Sequence, residues 1–280
     1  MNSNSKKELS ITACKIRMGI IDAVHSAKSG HPGGSLSAAD ILTYLYFKEM
    51  NVDPQDPKKA DRDRFVLSKG HIAPGLYAAL ANKGFFPVEE LTTLRKIGSR
   101  LQGHPDMKKI PGVDMSSGSL GQGISAACGM AKAAKLTGAD YRVYAILGDG
   151  EIQEGQVWEA SMFAAHYKLD NLCILVDNNG LQIDGCVKDV MSPYPIDEKF
   201  KAFGFHVINI DGHDFDQIEA AYQEARTVKG KPTAIIAKTT KGKGVSFMED
   251  QAGWHGKAPN DEQYEIAMKE LREQLAALEA

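Results

Sequence analysis

Two short apolar runs, each ending in a turn rich in glycine, aspartate and asparagine, constrain this chain more than anything else in it. Residues 142–147 (RVYAIL) lead into Gly148-Asp149-Gly150, and residues 171–176 (NLCILV) lead into Asp177-Asn178-Asn179. Apolar runs of this length between turn formers fit strands buried on both faces, as in parallel sheets. On that reading Asp149 and Asn179, thirty positions apart, stand at two strand tips on one edge of a sheet. Both are oxygen donors, so the edge suits a hard divalent cation with positions left for phosphate oxygens. Either turn alone is also ordinary punctuation of a strand end. The pair, each after an apolar strand, favours the cation site.

The rest of the chain alternates in the same sense. Roughly the first 28 residues carry Leu9, Ala13, Ile16, Ile20 and Val24 at helical spacing. A glycine-rich loop, Ser29-Gly30-His31-Pro32-Gly33-Gly34, follows; Ser37 with Asp40 then forms a capping-box pattern that predicts the start of a second helix. Residues 65–67 read as a short strand, and 73–82 and 119–137 as helices, the second rich in small residues. From there the order is strand 142–147, helix 153–167, strand 172–176, helix 196–203, strand 205–210, helix 215–228 and strand 233–239. Residues 261–280 read as a charged surface helix. This alternation predicts an α/β fold, a doubly wound, mostly parallel sheet with helices on both faces. No repeat or linker breaks the chain, so residues 1–280 read as a single domain.

Composition narrows the function classes. A net charge of −3 provides no basic field for nucleic acid or for an anionic membrane. Cys14, Cys128, Cys173 and Cys186 show no CxxC spacing and read as buried thiols of a reducing compartment. The N-terminal MNSNSKKELS lacks the apolar core of a signal peptide, and no run reaches membrane-spanning length. The expected location is cytoplasmic.

Four of the eight histidines sit in loops beside glycine: His31 (SGHPGG), His71 (SKGHIAPG), His104 (LQGHPD) and His255 (WHGKAP). Glycine lets the backbone turn sharply and leaves imidazole accessible, and imidazole exchanges protons near neutral pH. A surface or structural role is the plainer reading of any one of them. Zinc is disfavoured, because no two share a short ligand spacing. His25, His166, His206 and His213 fall in predicted helices, a strand or a turn and read as structural. Lys241-Gly242-Lys243-Gly244 reads either as a phosphate-approach loop or as a basic surface turn. Residues 117–123 (SGSLGQG) precede a helix whose amides favour an anion, yet fit neither GxGxxG nor GxxxxGK[ST].

Together and in this order, these pieces resemble the N-terminal, thiamine-diphosphate-binding half of transketolase, over about residues 10 to 260. The GDG…NN element matches the family's diphosphate and metal motif. SGHPGG, LSKGH, QGHPD, GSLGQG, KTTKGKG and WHGKAP fall where the family places its active-site loops. The resemblance implies that Asp149, Asn179 and the Leu181 carbonyl hold Mg²⁺, Ca²⁺ or Mn²⁺. It implies a cofactor site of His71, Gly118, Leu120, Asp149, Gly150, Glu151, Asn179, Lys241 and His255. His31, His71, His104 and His255 would contact sugar hydroxyls and assist proton movements. Glu154 and Glu159 match glutamates that the family places at its subunit interface. The implied activity is transfer of a two-carbon ketol unit from a ketose phosphate to an aldose phosphate. The family's second domain has no counterpart before Ala280. The chain therefore reads as one half of a split transketolase, in an α2β2 assembly with a separate C-terminal subunit. Two other readings remain: a related ketol-transferase or 1-deoxyxylulose-5-phosphate-synthase-like half, and a non-catalytic cofactor-binding assembly subunit.

Overall fold

The two apolar runs become the central strands. In a computed structural model, which describes residues 1–280, the strands are β1 (Arg64–Leu67), β2 (Val143–Gly148), β3 (Leu172–Asn178), β4 (Leu181–Gln182), β5 (Gly185–Cys186), β6 (His206–Asp211) and β7 (Thr233–Lys238). Five of them form one sheet in the order β1-β2-β3-β7-β6, with every pairing parallel. β4 and β5 make a separate antiparallel hairpin. The register sets Gly148 beside Asp177 and Asn178 beside Lys238, so the segments that follow these strands emerge together.

The helices are α1 (Ser3–Ala27), α2 (Pro32–Ser37), α3 (Ala39–Tyr44), α4 (Ala73–Lys83), α5 (Gln122–Thr137), α6 (Gly155–His166), α7 (Val187–Met191), α8 (Ile196–Ala202), α9 (Phe215–Thr227) and α10 (Asp261–Glu279). Side chains of a strand alternate between faces, and here both faces are covered. Tyr144 and Ile146 of β2 join a 52-residue cluster with α1, α3, α4, α9 and α10. Val143, Ala145 and Leu147 join a 21-residue cluster beneath α5, α6 and α8. Coverage of both faces explains why β2 and β3 read as continuous apolar runs. Truncating a core side chain such as Ile146, which is fully buried, to alanine costs about 2–5 kcal/mol.

Local expectations fail where a distant contact overrides them. The glycine-rich stretch after His31 is helical, with Pro32 in the first turn, where its missing N–H is no loss. Ser37 ends that helix and does not begin one: its hydroxyl donates to Gly34 O and, at 2.5 Å, to Asp177 Oδ2. Asp40 pairs with Arg17, not with a helix N-terminus. α5 starts at Gln122, not at residue 119, because Gly121 takes a left-handed φ of +82°. α6 starts at Gly155, after a 3-10 turn over Glu151–Gln153. The last helix is not merely superficial, since Ala267, Met268 and Leu271 are buried. The β4–β5 hairpin and α7 had no sequence-based expectation. All four cysteines are free, and Cys186 is only half-buried. No helix is long and apolar enough to cross a membrane.

Candidate active site

Open parallel sheets bind ligands beyond the carboxyl ends of their strands. Here the segments after β1, β2, β3 and β7 form a cleft of about 390 Å³ in that position. β1 contributes Lys69 and His71; β2 contributes Asp149, Gly150 and Glu151. Asn179 and Leu181 follow β3, and Lys241 follows β7. His31, Gly118, Leu120, Glu154 and His255 also line the cleft. Of the sequence-derived candidates, His104 and Glu159 lie outside the lining. His104 is exposed, and its ring packs against Gly118, where an added Cβ would stand 3.2 Å from His104 Cδ2. Glu159 is exposed on α6, and Glu154 is exposed just before that helix.

Asp149 is 2% exposed and accepts from Gly150 N at 2.8 Å and Gly180 N at 2.5 Å. Burial, with the Asp177 charge adding to it, pushes its carboxyl up to about 6 against the pull of the Gly180 amide. Asn179 is buried, and its Oδ1 accepts from Leu181 N at 3.1 Å. The Leu181 carbonyl accepts from Lys241 Nζ at 3.0 Å. Lys241 is 2% exposed, and burial together with the Lys69 charge lowers its ammonium to about 8. A protein cation thus rests on the carbonyl that was expected to ligate a metal. The donors at this spot are one carboxylate, one amide and one carbonyl, with no group of three His, Cys, Asp or Glu. That all-oxygen set fits a hard cation shared with phosphate oxygens and does not fit zinc.

Beneath these residues lies an ion pair that the sequence reading missed. Asp177 is fully buried and accepts from Lys69 Nζ, Ser37 Oγ and Thr239 Oγ1. Burial alone would raise its carboxyl, but Lys69 and the two hydroxyls outweigh it and hold the group below the usual range. The available signals were the Lys before Gly-His in SKGH and the first acid of Asp177-Asn178-Asn179. Glu151 is 2% exposed; Oε1 accepts from Ser68 Oγ and Gly121 N, and Oε2 from Gly148 N. It ties the 117–121 loop to the tips of β1 and β2.

Three of the four loop histidines converge on one wall. Ring centroids are 5.1 Å apart for His31 and His71, 5.2 Å for His71 and His255, and 5.5 Å for His31 and His255. Burial lowers His31 to about 4, with Arg95 and His104 adding to it. Burial and Lys69 lower His71 to about 2; burial and Lys241 lower His255 to about 3. All three are neutral at pH 7, able to accept a proton on one ring nitrogen and donate from the other. Nδ1 of His31 and Nδ1 of His255 are buried with no protein partner, which leaves each with hydrogen-bonding capacity unused by the fold.

A doubly wound α/β sheet with this oxygen, ammonium and imidazole cleft at its carboxyl edge defines a phosphate-cofactor-binding protein. The comparisons sharpen the class: the chain matches the family "Transketolase, thiamine diphosphate binding domain" over residues 9–276 and belongs to it. It is 44% identical over 272 residues to the 6-deoxy-6-sulfo-D-fructose transketolase subunit SqwG of Clostridium sp. (strain MSTE9), covering 97% of this chain and 99% of that one. It is also 44% identical over 271 residues to one of the subunits of the apulose-4-phosphate transketolase of Phocaeicola vulgatus, covering 97% and 96%. Human transketolase is 47% identical over 267 residues, covering 94% of this chain but 42% of the human protein. The crystal structure of Campylobacter jejuni transketolase superposes with a TM-score of 0.90 at 35% identity, over 99% of this chain and 43% of that one. The chain therefore spans less than half the length of these last two relatives.

Proposed function

We propose that this chain is the N-terminal subunit of a two-chain, thiamine-diphosphate-dependent transketolase. It would transfer a two-carbon ketol unit from a ketose phosphate to an aldose phosphate, in the cytoplasm and in the pentose phosphate pathway. The observation that carries this reading is the cleft itself, where Asp149, Asn179, the Leu181 carbonyl, Lys241 and three neutral histidines meet at one sheet edge. The two relatives of matching length support the two-chain form, since each is named a transketolase subunit. The same names speak against a 1-deoxyxylulose-5-phosphate-synthase-like half and against a non-catalytic assembly subunit.

The residues present fit the group. Asp149, Asn179 and the Leu181 carbonyl would hold Mg²⁺, or Ca²⁺ or Mn²⁺ in its place, and Lys241 would face the diphosphate. Gly150 lies on the cleft wall, where an added Cβ would stand 3.2 Å from Gln182 Cβ, so a side chain there would crowd the cradle. Thiamine diphosphate, when bound, supplies a nucleophilic carbon and an electron sink for breaking and forming a carbon–carbon bond. The chain's own part is position and proton movement. Glu151 fixes the 117–121 loop that carries Gly118 and Leu120 against the cleft. His31, His71 and His255, neutral and close together, would hydrogen-bond sugar hydroxyls and exchange their protons without any histidine first having to lose charge. His104, exposed and packed against the cleft-lining Gly118, would act on the incoming sugar. Glu154 and Glu159, both exposed, would face the neighbouring subunits of an α2β2 assembly.

The decisive experiment co-expresses this chain with its C-terminal partner and assays two-carbon transfer with and without thiamine diphosphate and Mg²⁺. Turnover is expected only with both chains and both ligands. Turnover by this chain alone, or by the complex stripped of both ligands, would overturn the proposal.

A further inference from the structure

The imidazole of His213 holds the backbone on which Lys241 sits. His213 follows Gly212 beyond the tip of β6, where an added Cβ would stand 2.5 Å from Thr239 Cγ2; glycine lets these two strand ends touch. Nε2 of His213 accepts from the Thr240 amide at 2.9 Å. An amide N–H only donates, so the ring proton lies on Nδ1, 2.8 Å from Asp40 Oδ2. The same oxygen accepts from Arg17 at 2.6 Å, and Arg17 Nε donates to the Lys243 carbonyl at 3.1 Å. Asp40 is 5% exposed; burial pushes its carboxyl up, but Arg17 and His213 outweigh it and keep the group ionised. Gly242 N adds a third tether, to Gly33 O at 2.9 Å. Thr240 and Lys243 are thus clamped through α1, α3 and the β6–α9 turn, with the buried Lys241 between them.

We propose that His213 is a positioning residue that fixes the Lys241 ammonium in the cleft by holding the Thr240 amide, with Asp40 and Arg17 fixing its ring. Two measurements test it, and only the second rests on the function proposed above. In the full chain, amine acylation resolved by mass spectrometry reads how well Lys241 is sheltered, with the equally buried Lys69 as internal control. His213→Ala should raise Lys241 acylation about tenfold, the scale of one lost hydrogen bond, and leave Lys69 unchanged. His213→Gln, whose amide can accept from Thr240 and donate to Asp40, should stay within about twofold of the parent. No rise at Lys241, or an equal rise at Lys69, overturns the proposal, since the second result is general loosening. If H213A is recovered unfolded, Asp40→Asn, which loosens the His213 ring and the Arg17 tether to Lys243 together, should still raise Lys241 acylation and leave Lys69 unchanged; no rise is again a refutation.

In the assembled complex, H213A should weaken thiamine diphosphate binding about tenfold, but less than about twofold in a Lys241→Met background, because one residue acts through the other. Fully additive losses would overturn the proposal. A parent complex that binds no thiamine diphosphate would sink the proposed function, while the acylation result would still decide the role of His213.

Discussion

Asp149 should cost the folded chain stability in proportion to its fitness for a cation. Its carboxyl lies at about 6 in the folded protein against an ordinary 3.8. At 1.36 kcal/mol per decade, ionising it in the fold carries a penalty of about 3 kcal/mol. The sign follows from the raised value. Between pH 3.8 and about 6 the folded state binds more protons at this site than the unfolded one, so stability falls as pH rises. The penalty is absent below that window and complete above it. Asp149→Asn removes the titration and loses an acceptor toward Gly150 or Gly180, a constant loss of about 1–3 kcal/mol. The difference in unfolding free energy, variant minus parent, should therefore climb by about 3 kcal/mol between pH 3 and pH 7, whatever its starting value. Urea titrations of both chains across that range measure it. Adding Mg²⁺ with thiamine diphosphate to the assembled complex should stabilise the parent and not the variant. A flat difference curve, or one that falls with pH, would refute the account of Asp149 as a carboxylate held charged against its surroundings.

Other outcomes follow from the same geometry. Lys241→Met should stabilise the chain at pH 7 by about 3 kcal/mol, because an ammonium lowered from 10.5 to about 8 destabilises the fold below pH 8 and not above 10.5; urea titration at pH 7 and pH 10 would show most of the gain gone at the higher pH. His31, His71 and His255 should keep neutral-imidazole NMR shifts from pH 5.5 to pH 8, and a midpoint inside that range for any of them would contradict their burial as the cause. Gly242→Ala should destabilise the chain by at least about 2 kcal/mol, since φ is +77° and its Cβ would stand 2.3 Å from Met248 O; a thermal midpoint equal to the parent's would show that the loop yields.

What could be read in the sequence was whatever a local pattern encodes. Buried strands announce themselves as apolar runs because both faces are covered, so β2 and β3 were legible to within two residues. The site followed, since strand ends sit where the apolar run stops: Asp149, Asn179 and Lys241 do line one cleft. Ser37 was misread because its hydroxyl serves Asp177, 140 residues away, and a capping pattern cannot reveal that. The Lys69–Asp177 pair and the Arg17–Asp40–His213 chain escaped for the same reason. Each joins segments that only the folded sheet brings together, and a buried charge looks like a surface charge until its partner is known. Three of the four loop histidines meet on one wall, whereas His104, with the same glycine neighbour, packs against Gly118 outside the cleft lining.

The strand tips carry one more implication. No two of β1, β2, β3 and β7 are joined by a short turn, yet each delivers a residue to the same cleft. A one-residue slip in any pairing would reverse that strand's side chains and scatter the site. Ligand affinity is therefore an assay of global order, and the linkage runs both ways. At a hundredfold excess over its dissociation constant, a ligand bound there adds about 2.7 kcal/mol to the stability of the entire sheet. A protein with such a cleft would survive proteolysis best when loaded, so the abundance of this chain in a cell should track its cofactor supply.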